Sequence, residues 1–237
     1  MLLDVDGTLL DLADTPPHVE VPQQLKRALT VLATRSGGAT SFVSGRSLAD
    51  LDRLFAPLKL AAVAGHGAEL RTTDGALPHQ QTPAIPDPLR RRLAAFAASN
   101  EGVILEDKGY SLALHYRQAP QRATAVYEAV EAACADYPSG TLDVLSGKAV
   151  LEVKAGGFSK GTGIRELMKT PPFRGRRPIF IGDDITDEAG FAVLPEFDGL
   201  GFSVGRELTG LAGCFQTPGD VRAWLYRVMD GVGAGEL

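Results

Sequence analysis

The chain has 237 residues, of which 44% are apolar and 22% charged, proportions that fit a folded globular protein and exclude a disordered or fibrous one. Its net charge is −5, with no basic run, so nucleic acid is excluded as a partner by the missing electrostatic footprint. No stretch approaches the ~18 continuous apolar residues of a membrane span, and no basic segment followed by a long apolar one marks a signal peptide; a cytoplasmic, monomeric protein is expected. An anionic ligand must then be held by a few local cations and backbone amides. Cys134 and Cys214 fit neither a disulfide framework nor a zinc site and read as small core residues.

Only Met1, Leu2 and Leu3 precede Asp4, against the ~5–6 residues of a usual strand, so either the first strand is short or the true start lies upstream. From Pro22 to Ala33, Leu25, Ala28, Leu29 and Leu32 recur at helical spacing, with Pro22 at a favoured first position and Gly37-Gly38 beyond. Ala39–Val43 reads as a buried strand ending in Ser44-Gly45-Arg46, and Ser47 as the N-cap of a helix through Leu48, Leu51 and Phe55. Leu60–Ala64 is the next strand, and Thr72–Gly75 predicts a hairpin turn. Alternation of this kind marks a parallel sheet covered by helices.

The rhythm changes after Pro78. Pro83, Pro86 and Pro88 suggest a linker before a helix carrying Leu89, Leu93 and Phe96. Strands at Val103–Glu106 and Ser111–Tyr116 follow, joined by Lys108-Gly109, then a helix with Ala123, Val126, Tyr127, Val130 and Ala133 on one face. Strands at Thr141–Leu145 and Ala149–Lys154, joined by Ser146-Gly147, complete a helix-strand-strand pattern repeated once. Gly156-Gly157 punctuates the return to α/β rhythm. Pro178–Ile181 is a strand running into Gly182-Asp183-Asp184, with a helix from about Thr186, a strand at Leu200–Val204 and a last helix from Pro218 carrying Val221, Trp224, Leu225 and Val228. The expected organisation is an α/β core built from residues 1–83 and 157–237, with an inserted α+β unit at residues 84–156.

Four short segments carry the chemistry. Asp4-Val5-Asp6-Gly7-Thr8 and Gly182-Asp183-Asp184-Ile185-Thr186-Asp187-Glu188 both fall at strand ends, where open α/β sheets bind ligands. Two acidic groups meeting at neighbouring strand tips repel unless a cation lies between, and hard oxygen donors suit Mg²⁺. Asp-Gly pairs also form ordinary turns, and Asp183 or Asp187 can cap the following helix. Ser44-Gly45-Arg46 supplies a hydroxyl and a guanidinium at a third strand end, and Lys160 stands at a helix start, where amides favour anions. Carboxylate nucleophile, metal site, phosphate-binding hydroxyl and lysine are together what phosphoryl transfer needs.

In that order these segments resemble the four motifs of the haloacid dehalogenase (HAD) superfamily, and the insert looks like its C2 type of cap. The resemblance implies a Rossmann-like core with an αββαββ cap. Asp4 is then the nucleophile that forms an aspartyl-phosphate, and Asp6 the general acid/base. It also implies Mg²⁺ held by Asp4, the Asp6 carbonyl and Asp183, with Asp184 and Asp187 close behind, and phosphoryl oxygens held by Ser44, Gly45, Arg46 and Lys160. An aspartate at position 6 favours a phosphatase within that superfamily. The Glu106-x-Lys108 turn, the His115-Tyr116-Arg117 run, Ala64–Glu69 and the stretch from Glu152 to Lys160 further resemble the trehalose-6-phosphate phosphatase family. By that likeness Glu106, Lys108 and Glu152 grip the sugar away from the phosphate, Arg117 supports them, and His66 and Gly67 line the core side. The substrate implied is a sugar phosphate, trehalose 6-phosphate first, with sucrose-phosphate or mannosyl-phosphate chemistry as the alternative. A sensor that had lost catalysis would be expected to lack Asp4, Asp6 or Lys160, and all three are present.

Overall fold

A computed structural model of the chain describes residues 1–11, 20–72, 79–80, 84–147 and 149–231. They form two compact units, Met1–Gln81 with Phe158–Leu237, and Thr82–Gly157. Among the described residues no helix is long and apolar enough to cross a membrane.

The first unit is built on a mixed sheet. Its strands are β1 (Leu2–Leu3), β2 (Ser41–Val43), β3 (Ala61–Ala64), β4 (Glu69–Arg71) and β5 (His79–Gln80) from the first segment. The second segment adds β10 (Ile179–Gly182), β11 (Leu200–Val204) and β12 (Gly213–Phe215). The order is β12-β11-β10-β1-β2-β3-β4-β5, parallel from β12 to β3 and antiparallel where β4 and β5 join. Two residues suffice for β1 because it is paired on both sides, Leu2 with Phe180 and Ser41, Leu3 with Ile181 and Phe42. A strand buried on both faces must be apolar at every position. Leu3 joins Leu29, Phe42, Phe55, Ile181 and Val221 in one layer, and Leu2 joins Val63, Ile164, Leu167 and Phe180 in the other.

Helices α1 (Gln23–Arg35), α2 (Leu48–Phe55) and α7 (Pro218–Asp230) supply the first layer, α5 (Lys160–Met168) and α6 (Ile185–Phe191) the second. Ser47 caps α2 as expected, accepting from the Asp50 amide. The expected hairpin turn at residues 72–75 falls mainly outside the described residues.

The second unit repeats helix-strand-strand: α3 (Asp87–Ala98), β6 (Ile104–Asp107), β7 (Ser111–His115), α4 (Ala123–Cys134), β8 (Leu142–Gly147) and β9 (Val150–Ala155). The strands form an antiparallel sheet in the order β6-β7-β9-β8. Leu89, Leu93, Val126 and Val130 of the helices pack with Leu112, Leu114, Leu151 and Val153 of the strands. Period-2 alternation leaves Glu106, Ser111, Ala113, His115, Glu152, Lys154 and Asp143 on the opposite face.

Four expectations are corrected. Pro86 and Pro88 are not linker: Pro86 is the N-cap of α3 and Pro88 sits in its first turn, where a missing N–H costs nothing. Ser146-Gly147 is not the turn but the end of β8, and Ala149 takes the left-handed backbone, φ 56°, that reverses the chain. Tyr127 is not on the buried face of α4 with Val126, Val130 and Ala133; it is exposed, and its hydroxyl donates to Ser146. Cys134 and Cys214 are half-buried, not core.

Candidate active site

Three adjacent parallel strands, β10, β1 and β2, deliver their carboxyl ends side by side, and each runs directly into a polar segment: Asp183, Asp4 and Ser44. Asp4 stays in the sheet, its amide donating to the Ile181 carbonyl at 2.9 Å, and the residue is only 3% exposed. Ser159 caps α5 in a capping box with Thr162, which places Lys160 at the first helical position. The Lys160 ammonium donates to Asp4 Oδ1 at 2.8 Å and to Asp187 Oδ1 at 2.7 Å.

Asp187 does two jobs. It is the third residue of α6, in a reciprocal capping box with Asp184, and its Oδ2 accepts from the amides of Asp183 and Asp184 at 3.1 and 3.0 Å. The carboxylate is 0% exposed and fully hydrogen-bonded, as a buried charge must be. It tucks beneath the end of β10, where a side chain on Gly182 would come within 2.5 Å of its Cγ. Asp183 accepts from the Thr8 hydroxyl at 3.2 Å. Gly7 turns the chain beside it with φ 79°, and a Cβ there would lie 2.0 Å from Asp183 Oδ2, so both space and backbone require glycine.

Asp4, Asp183 and Asp187 each offer one oxygen within 4.8 Å of the others. Three carboxylates face one ammonium, which leaves about two negative charges uncompensated, and the donors are all hard oxygens; that set fits a divalent cation such as Mg²⁺. The electrostatics agree. Burial pushes the Asp4 carboxyl well above the usual carboxylate range, with Lys160 opposing and Asp187 and Asp183 reinforcing the rise. Burial likewise raises Asp183, helped by Asp187. Burial alone would lower Lys160, but Asp4 and Asp187 outweigh it and hold the ammonium above the ordinary lysine value. A bound cation would favour the ionised carboxylates that burial opposes.

Asp6 and Arg46 form a second constellation. Arg46 Nε donates to Asp6 Oδ2 and Nη2 to Asp6 Oδ1, both at 2.6 Å, a two-pronged contact that fixes the plane of the carboxylate. The Arg46 amide donates to Ser44 Oγ at 3.2 Å, and Ser44 is buried. The turn at residues 65–67 braces this segment. His66 has φ 56°; its amide donates to the Ser44 carbonyl at 3.0 Å, and the Gly65 amide to the Arg46 carbonyl at 2.8 Å. A Cβ on Gly45 would meet His66 Nε2 at 2.3 Å, and one on Gly67 the Ser159 carbonyl oxygen at 2.2 Å. His66 and Gly67 thus tie the end of β2 to the start of α5.

Asp184 stands apart from the acidic cluster: it is exposed, and its Oδ1 accepts from the Ile185 amide at 2.6 Å. Arg206, which sequence reasoning passed over, donates to the Asp183 carbonyl at 3.3 Å and to Glu188 Oε1 at 2.9 Å. Its signal was available, since it follows the carboxyl end of β11, the next strand along.

On the second unit's polar face, Lys108 Nζ lies 3.3 Å from Glu152 Oε1, and His115 Nε2 lies 2.9 Å from Glu106 Oε2. Glu106 and Glu152 are both in register with Ala113, one on each side. Lys154 donates to Asp143 at 2.7 Å. Arg117 lies past the end of β7 and is exposed.

The trehalose-phosphatase family model matches residues 2–209. Trehalose-6-phosphate phosphatase of Escherichia coli K12 is 39% identical over 226 residues, which cover 95% of this chain and 84% of that protein. Among solved structures, the C-terminal domain of Candida albicans trehalose-6-phosphate phosphatase matches with a TM-score of 0.80 at 21% identity, over 98% of this chain and 91% of that one. A HAD-superfamily phosphatase from Bacteroides thetaiotaomicron matches with a TM-score of 0.65 at 18% identity, over 97% and 93%. These two likenesses establish a HAD fold. With the family model spanning most of its length and a relative 39% identical to it, this chain belongs to the trehalose-phosphatase family.

Proposed function

We propose that this chain hydrolyses trehalose 6-phosphate to trehalose and inorganic phosphate through an aspartyl-phosphate on Asp4, with Mg²⁺ as cofactor, as a cytoplasmic monomer. The supporting observation is the buried Asp4 carboxylate at a strand tip, bridged by Lys160 to Asp187 and adjoined by Asp183. The substrate follows from the family and from the named activity of the E. coli relative.

Asp4 attacks phosphorus, forming a new P–O bond as the bond to the sugar's 6-oxygen breaks. Asp6 gives its proton to that leaving oxygen, then takes one from the water that attacks the aspartyl-phosphate; phosphate leaves and Asp4 is restored. Lys160 keeps Asp4 aimed and neutralises charge on the transferring group. Arg46 aims the Asp6 carboxylate and must release one of its two oxygens for Asp6 to carry the proton; its other N–H groups, with Ser44 and the Gly45 segment, supply donors for phosphoryl oxygens. Asp4, Asp183 and the Asp6 carbonyl would hold Mg²⁺, with Asp187 organising them. The cation supplies charge neutralisation that lets an anionic nucleophile approach an anionic ester. Glu106, Lys108 and Glu152 serve as the sugar-reading group of a cap, with Arg117 as a supporting cation.

Phosphate release from trehalose 6-phosphate, sucrose 6-phosphate and glucose 6-phosphate, each with and without Mg²⁺, tests this reading. Preference for trehalose 6-phosphate by orders of magnitude, lost on chelation, is the expected result. Equal cleavage of all three would overturn the substrate assignment and leave the phosphatase chemistry. Full activity after chelation would overturn the cofactor.

A further inference from the structure

In the second unit's sheet, β7 is an inner strand between β6 and β9, and its polar side begins at Ser111. Ser111 is in register with Lys154, and Ala113, two residues on, with Glu152. The Ser111 hydroxyl therefore reaches one step diagonally and donates to Glu152 Oε1 at 2.6 Å. Both partners are enclosed: Ser111 is 0% exposed and Glu152 8%. The same carboxylate oxygen lies 3.3 Å from Lys108 Nζ, the longer of the two contacts. Lys108 is itself placed by Ser111, whose carbonyl accepts from the Lys108 amide at 3.0 Å across the β6–β7 turn. Lys154, directly opposite Ser111, donates to Asp143.

One residue thus ties together two members of the sugar-reading group. Its backbone sets the turn that carries Lys108, and its hydroxyl fixes the carboxylate of Glu152. A glutamate has three side-chain torsions to immobilise, and ordering it before ligand arrives removes that cost from binding. A hydroxyl-to-carboxylate bond away from water is among the stronger neutral-to-charged contacts.

We propose that Ser111 is a positioning residue for substrate recognition, orienting the Glu152 carboxylate so that Glu152 and Lys108 meet the sugar as one prearranged pair. This rests on the trehalose 6-phosphate reading above and extends it to a residue outside the sugar-contacting set. Ser111 does not touch the reacting atoms, so its signature is a change in KM, not in kcat.

The test is steady-state kinetics on trehalose 6-phosphate for the wild type, Ser111→Ala, Ser111→Thr, Glu152→Gln and Ser111→Ala/Glu152→Gln, with melting temperatures of each. Ser111→Ala is expected to raise KM about tenfold with kcat within about twofold. Ser111→Thr, which keeps the hydroxyl, recovers most of the loss. In the Glu152→Gln background, Ser111→Ala adds less than about twofold, because the group it orients has changed. An unchanged KM in Ser111→Ala overturns the proposal. So does a full tenfold loss repeated on top of Glu152→Gln, or a fall in kcat and melting temperature with KM unmoved, which would make the hydroxyl merely structural. If the wild type ignores trehalose 6-phosphate, the substrate reading fails at the first assay and this proposal falls with it.

Discussion

The two polar regions of the molecule are built on opposite plans. At the strand tips of the first unit one ammonium serves two carboxylates, and Lys160, Asp4 and Asp187 have side-chain exposures of 3, 5 and 0%. On the sheet face of the second unit the charge contacts are spread along the strands: Lys108 meets Glu152, His115 meets Glu106 and Lys154 meets Asp143. Removing the shared ammonium from the interlocked set would strand two buried carboxylates. On the sheet face burial is uneven, with the Lys154 side chain 5% exposed and its partner Asp143 45%. Phosphoryl transfer demands the first plan, since charge must be stabilised at fixed points. Recognition of a polyhydroxylated ligand tolerates the second.

The largest expected effect follows from the interlocked plan. Asp4→Asn keeps the shape but removes the proposed nucleophile, so turnover is expected to fall by ~10⁴ or more, while circular dichroism and melting temperature stay near wild type. Retained turnover would sink the nucleophile assignment. Lys160→Met leaves two buried carboxylates facing each other and is expected to lose stability as well, by about 3–5 kcal/mol, read from urea unfolding. A Lys160→Met protein as stable as the parent would break the contrast between the two regions.

Arg46→Lys comes next. Lysine keeps the charge but loses the two-pronged grip on Asp6, so kcat is expected to drop by about 10- to 100-fold with KM for trehalose 6-phosphate little changed. A KM-only effect would assign Arg46 to substrate holding instead of to Asp6. Lys108→Ala, on the other plan, is expected to raise KM by about tenfold and leave kcat within about threefold; a kcat collapse there would mean the sheet face takes part in chemistry.

These expectations also measure how far the sequence could be read. The acidic segments at strand ends, Ser47 as a cap and the repeated helix-strand-strand pattern were legible because each rests on local rules of spacing and turn chemistry. Pairing was not. Nothing in Ser44-Gly45-Arg46 says that the guanidinium turns to Asp6, 40 residues away, or that Gly45 is small because His66 lies over it. Asp184 and Asp187 look alike in sequence, and only the start of α6 decides that one is an exposed cap and the other a buried organiser. Ser111 looked like a strand's first residue, because its diagonal reach to Glu152 depends on the register of β7 against β9. Pro88 and Tyr127 were misread for a related reason: a helix boundary and a helix's outer edge are set by packing more than by local preference.

The smallest effect separates the two plans most finely. His115 and Glu106 are close, at 2.9 Å, but their side chains are 34 and 43% exposed, so water and salt screen the contact. His115→Ala is therefore expected to raise KM for trehalose 6-phosphate only about two- to threefold, and His115→Gln, which can still donate to Glu106, less than that. The penalty of His115→Ala should shrink further between 0.05 and 0.5 M salt if charge contributes to the contact, whereas any loss from Ser111→Ala, whose bond to Glu152 is enclosed, should not. Equal salt sensitivity of the two variants would mean that the enclosed and the exposed glutamate are held in the same way, and that burial does not grade the sheet face as it grades the strand tips.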